Sequence, residues 1–173
     1  TVWEAVKARA PWLGINLVTA FIASGIIALF EGTLDRLVQL AILMPVVAAL
    51  AGNAGSQGLA VAVRAIAERE MEGKAVRRAI VRESLTGLVN GVIFAIGVGV
   101  VAFFWFQDVK LAAVIGVAML ASFAWAGVSG ILVPLTLKRM GADPAVASSV
   151  FVLTLTDTMA FFSFLGLATL FLL

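Results

Sequence analysis

Asp157 is the only acidic side chain set well inside a membrane-length apolar run, within Thr154-Leu155-Thr156-Asp157-Thr158-Met159-Ala160-Phe161-Phe162. A carboxylate at the centre of a bilayer costs about 2.5 to 3.5 kcal/mol on insertion scales, so it persists where a partner, water or an ion offsets that cost. Two chemistries fit: a protonated acid hydrogen-bonded to a neighbouring helix, or a cation site in a polar pathway. The sequence contains neither His nor Cys. That removes imidazole bases and ligands, thiol nucleophiles and thiolate metal sites. Any metal ion handled here meets oxygen ligands, which suits hard cations such as Mg²⁺ or Ca²⁺.

Helical spacing lines up Ser149, Val150, Leu153, Thr154, Asp157, Ala160 and Phe161 on one side of the last segment. One carboxylate cannot strip and hold Mg²⁺, because that ion keeps most of its waters and demands octahedral oxygen geometry. Two Asp157 side chains facing each other across a two-fold axis would hold a hydrated ion through its water shell. Such an arrangement predicts a homodimer with the pore on the axis, with Ser149, Leu153 and Thr154 lining it.

A second polar group lies at Gly52-Asn53-Ala54-Gly55-Ser56-Gln57-Gly58, where Asn53 and Gln57 share a helical face and glycines recur every three residues. Upstream, Pro45 removes the backbone bond to the carbonyl four residues earlier and predicts a kink. Loosened backbone at membrane depth is tolerated only where protein or water covers it. The expectation is an interrupted helix whose Gly52 and Asn53 line a wet interior; tight helix packing on the small residues is compatible with it. A phosphate-cradling loop is excluded, since no Lys follows the glycines and no strand precedes them.

These groups need helices to hold them, and the composition supplies helices that span. Hydrophobic residues make up 62% of the 173 and charged residues only 13%, against about 25% charged in soluble domains. The fold class is therefore an all-α membrane protein, with five spans at about 12–30, 37–67, 84–106, 111–137 and 144–172. Pro11 suits a first helical turn, and Trp12 suits the interface. Glu31 to Arg36 reads as a polar turn, and Lys74 to Arg82 as a basic helix contacting anionic headgroups. Gly87 and Gly91 have the spacing that lets two helices approach closely. Asp143-Pro144 reads as a cap followed by proline at the first helical position.

Of the twelve Lys and Arg, ten fall on one side of these spans and two, Arg36 and Lys110, on the other. The positive-inside rule puts the ten in the cytoplasm. A multi-pass protein of the cell membrane results, with its N-terminus cytoplasmic and its C-terminus extracellular or periplasmic.

Pro45-Val46-Val47, Gly52-Asn53-Ala54-Gly55-Ser56-Gln57, Leu59-Ala60-Val61 and Arg64 together resemble the signature second helix of MgtE-type magnesium channels. Asp143-Pro144-Ala145-Val146-Ala147-Ser148 and Thr154-Leu155-Thr156-Asp157 with Phe161-Phe162 resemble the fifth helix of the same family, and Arg9-Ala10-Pro11-Trp12-Leu13 and Phe30-Glu31-Gly32-Thr33 its first. The resemblance implies a homodimer of five-helix protomers with the second and fifth helices lining the pore and Asp157 selecting the ion. It implies that residues 1–10 end a cytosolic connecting helix and 11–173 form the pore domain. It also implies cytosolic N-terminal and CBS regulatory domains, which this sequence does not contain. Two departures stand out: Ser149-Val150 where the family often has Gly-Pro, and Ala160 where it often has Gly. Without that proline the last helix is expected to be straighter near its cytoplasmic end.

The function this predicts is a channel moving hydrated Mg²⁺, the transported ion, down its electrochemical gradient into the cytoplasm, with other divalent cations as further candidates. The alternative within transport is an ion-coupled exchanger; no internal repeat of the kind common in carriers is legible. An enzyme is not expected. Gly127-Val128-Ser129-Gly130 has the form of an intramembrane serine protease motif, but that chemistry needs a His base. The partners are a second copy of the chain and the lipid bilayer, with no nucleic acid.

Overall fold

A computed structural model describes residues Thr1–Leu173 as six helices and short connections: α1 (Val2–Leu29), α2 (Glu31–Arg36), α3 (Gln39–Ala67), α4 (Lys74–Phe106), α5 (Val109–Arg139) and α6 (Pro144–Leu172). All but α2 are long and apolar enough to cross a membrane. The chain is thus a five-span helical protein.

Several boundaries differ from the sequence reading. Helix α1 starts at Val2 and runs straight through Pro11, so that proline is interior rather than in the first turn. A proline there leaves the Lys7 carbonyl without its usual donor, and because this end of α1 is exposed, solvent can serve it. Glu31 to Arg36 is a short helix, not a turn. The basic segment beginning at Lys74 is continuous with the third span, giving one helix of 33 residues.

The main correction concerns α3, which is helical without interruption through Pro45 and through Gly52 to Gly58. Its glycines serve contact rather than unwinding. A Cβ at Gly55 would lie 2.9 Å from Val152 Cγ1 and 3.0 Å from Thr156 Cγ2 on α6. On the α5 side, a Cβ at Gly130 would lie 2.9 Å from the Gly55 carbonyl oxygen. A glycine costs a helix about 1 kcal/mol relative to Ala, and here the close packing of three backbones offsets it.

Helix α5 is the hub, packed against α3, α4 and α6, whereas α1 packs chiefly on α6. The α4–α5 crossing uses the glycines singled out by spacing: a Cβ at Gly87 would meet the Phe123 carbonyl, and one at Gly91 would crowd Leu120 and Phe123. Gly127 does the reverse job, facing the Glu83 carbonyl. The larger apolar core joins Leu40, Leu43 and Val47 of α3 to Ile115 and Met119 of α5 and to Phe164 and Leu165 of α6. A smaller one joins Ala62 and Ile66 to Met71, Ile131 and Leu135 at the end of the bundle where α3 and α5 finish and α4 begins.

Two caps explain where chain reversals fall. Asp108 accepts hydrogen bonds from the Lys110 and Leu111 amides at 2.9 and 3.1 Å, starting α5 immediately after Gln107 takes a left-handed conformation (φ 52°). Asp143 accepts from the Ala145 amide at 3.0 Å with Pro144 in the first helical position, as its sequence suggests. The ten basic residues gather at one end of the bundle, while Arg36 and Lys110 sit at the other.

Candidate functional site

Helix α6 places Asp157 midway along its 29 residues. The side chain is half-buried and forms neither an ion pair nor a hydrogen bond within the protomer. Its oxygens are not sealed, because the only fully buried side-chain polar atom lacking a partner is Ser148 Oγ. No three acidic side chains converge anywhere in the protomer. A bare Mg²⁺ wants six oxygens at about 2.0 to 2.1 Å, which one carboxylate cannot provide.

The turn ahead of Asp157 is unusually well tied down. Thr154 Oγ1 donates to the Val150 carbonyl at 2.8 Å, and Thr156 Oγ1 to the Val152 and Leu153 carbonyls at 2.9 and 3.0 Å. Trp125 Nε1, from α5, donates to the Leu155 carbonyl at 3.1 Å. Sequence reasoning did not single out Trp125. The available signal was a tryptophan in mid-span, far from the interfacial level where that residue usually sits.

The other expected site residues distribute unevenly. Ser149 and Leu153 are exposed on the protomer surface, and Asn53 is exposed on α3. Gly52 is buried, its Cα facing Leu153, whose Cδ2 would be 3.4 Å from an added Cβ. It therefore brings α3 onto α6 beside Asn53 and offers no open face of its own. Thr154 turns away from Leu153 into a groove it shares with Leu132, Met140 and Phe151. Pro45 is exposed on α3, and the helix continues on both sides of it. Ala160 and Phe161, placed on the Asp157 side by spacing, join the apolar core instead. Ser129, of the protease-like motif, is buried and donates to the Trp125 carbonyl at 2.7 Å.

On α3 the residues Ala49, Asn53, Ser56, Gln57 and Ala60 make an exposed strip of small and polar side chains. None of the three polar members hydrogen-bonds within the protomer. Lipid cannot satisfy an amide, and an unmade hydrogen bond in an apolar medium costs several kcal/mol. With Asp157, that makes four polar side chains on α3 and α6 left without a partner in the protomer.

Five span-length helices, the last carrying an accessible, partnerless carboxylate halfway along its length, define a polytopic membrane protein. The comparisons name the family. The MgtE family, described as divalent cation transporter, matches residues 44–167, and this chain belongs to it. The chain is 33% identical over 170 residues to the magnesium transporter MgtE of Bacillus subtilis, covering 98% of this chain and 38% of that protein. It is 34% identical over 169 residues to the protein of the same name from Enterococcus faecalis, covering 98% and 37%. For that of Thermus thermophilus the values are 33% over 166 residues, 95% and 36%. The chain thus spans little more than a third of the length of the curated relatives it matches.

Proposed function

We propose that this chain is the ion-conducting part of a magnesium channel, in which two copies pair about a two-fold axis and hold hydrated Mg²⁺ between their Asp157 carboxylates. The observation that carries the reading is Asp157 itself: an accessible carboxylate halfway along a membrane helix, with no partner in its own protomer. A second copy brought against the α3 strip and α6 would enclose a polar passage lined by Asn53, Ser149 and Leu153. Relatives named as magnesium transporters supply the ion. The expected side for the basic end is the cytoplasm.

In this mechanism the ion keeps its first water shell and the carboxylates accept hydrogen bonds from those waters. At an effective dielectric constant of about 20, a divalent ion about 5 Å from a carboxylate gains on the order of several kcal/mol. A monovalent ion gains half as much, which favours Mg²⁺ over Na⁺ and K⁺. The membrane potential adds about 2.3 kcal/mol per charge per 100 mV, doubled for a divalent ion, so inward movement needs no coupled ion.

The test is growth rescue and Mg²⁺ flux in a cell lacking magnesium uptake, comparing the wild type with Asp157→Asn and Asp157→Ala at matched expression. Both variants are expected to lose at least about tenfold in flux, in keeping with a lost charge interaction of more than 1.4 kcal/mol. Wild-type flux through Asp157→Asn would overturn the ion site. Single-channel currents in a planar bilayer support the channel; a saturable flux that stops without a counter-ion makes it a carrier.

A further inference from the structure

Helix α4 is about 50 Å long at 1.5 Å per residue, against about 30 Å of hydrocarbon. Its first turns therefore project beyond the apolar layer. They do not wave free: Val76, Ala79 and Ile80 pack against the small core formed by Ala62, Ile66, Met71 and Ile131. That fixes the opposite side of the helix outward. There, Lys74, Arg77, Arg78 and Arg82 line an open cavity of about 820 Å³ together with Val81 and Leu85.

Positions 74, 78, 82 and 85 follow one another at helical spacing, as do 77, 81 and 85, so the four cations share one side of the helix with Val81 and Leu85. None of the four is in an ion pair, although Glu70 and Glu83 share a neighbouring groove with Arg78 and Arg82. Below Leu85 the same side continues as exposed Val89, Val92 and Ile96, an apolar stripe along α4. Cations at the level of headgroups, merging without a break into a stripe for acyl chains, match the two halves of one kind of molecule.

We propose that this side of α4 is a binding site for an anionic phospholipid, its phosphate held by Lys74, Arg77, Arg78 and Arg82 and an acyl chain laid along Val81, Leu85 and Val89. An acidic protein surface would use the four cations but leave Val81 and Leu85 without a role, so the lipid is the better fit.

The experiment is native mass spectrometry of the delipidated protein in neutral detergent, titrated with phosphatidylglycerol, phosphatidylcholine or inorganic phosphate. Phosphatidylglycerol is expected to add in preference to phosphatidylcholine, and inorganic phosphate at the same concentration not to displace it. Neutralising the four cations together (Lys74→Gln, Arg77→Gln, Arg78→Gln, Arg82→Gln) is expected to weaken phosphatidylglycerol binding by at least about tenfold, since each cation near an anionic surface contributes measurably. The charge-preserving set Arg77→Lys, Arg78→Lys, Arg82→Lys is expected to retain it, which separates charge loss from misfolding. Equal binding of the two lipids, undiminished binding in the neutralised protein, or displacement by inorganic phosphate would each overturn the lipid site. Failure of the charge-preserving set to bind while folded would do so too.

Discussion

The indole N–H of Trp125 and the carbonyl of Leu155 meet at 3.1 Å, tying the hub helix to the backbone two residues before Asp157. A hydrogen bond between helices in a membrane averages about 0.6 kcal/mol, with a maximum near 1.7. Trp125→Phe keeps most of the ring's packing and deletes the donor. It is expected to cost about that much stability, read by thermal unfolding in detergent, and to lower Mg²⁺ flux several-fold by releasing the turn that aims the carboxylate. Flux equal to the wild type would show that this tie does not position Asp157.

The glycines predict a graded series. At Gly127 and Gly87 an added Cβ meets backbone carbonyls of the facing helix, which cannot rotate away. Their alanine variants are expected to lose several kcal/mol or fail to fold, since overpacking against movable side chains alone costs about 1 to 3 kcal/mol. Gly55→Ala meets side-chain methyls of Val152 and Thr156 and belongs in that milder range. Gly14 and Gly25 have nothing within 4 Å, so their alanine variants gain up to about 1 kcal/mol from helix propensity. Thermal unfolding of the five variants side by side is the check, and a flat series would refute the close-packing account.

Binding through the water shell has its own signature. Hexaamminecobalt(III) is close in size to hydrated Mg²⁺ and does not exchange its ligands. It is expected to compete with Mg²⁺ for the wild-type protein and to lose that effect in Asp157→Asn. If only exchangeable aqua ions compete, the carboxylates bind the metal directly and the outer-sphere mechanism fails.

Far from the carboxylate, Thr33 Oγ1 and Thr169 Oγ1 lie 2.7 Å apart. Thr169 spends its hydrogen on the Leu165 carbonyl at 2.8 Å, so Thr33 is the donor between them. Thr33→Val preserves shape and removes that donor, joining α2 less firmly to the end of α6. A loss of about 0.6 kcal/mol is expected in the same unfolding assay, with Mg²⁺ flux unchanged.

Five spans, the cap at Asp143 and the exceptional position of Asp157 were legible because each rests on a local rule: apolar length, a side chain capping its own helix, a charge in hydrocarbon. The course of α3 was not. Pro45 and three glycines argue locally for a broken helix, and what holds it together is the touch of Val152, Thr156 and Gly130, which no local pattern announces. The sides of α6 were half legible. Spacing grouped Leu153, Thr154 and Asp157, but Thr154 lies in a groove between α5 and α6 with Leu132, Met140 and Phe151. Trp125 was invisible for the same reason, since its importance lies in which carbonyl it reaches.

The continuity of α3 carries a last consequence. A helix that never unwinds keeps its carbonyls engaged, save the one at Ala41 that Pro45 leaves without a donor, so the passage it would border has no ring of backbone oxygens ready to replace lost water, as filters for bare ions do. A filter of that kind fails when thermal motion shifts its oxygens by a fraction of an ångström. One that gauges an ion still wearing its hydration tolerates such breathing, and two soft-edged helices suffice to build it.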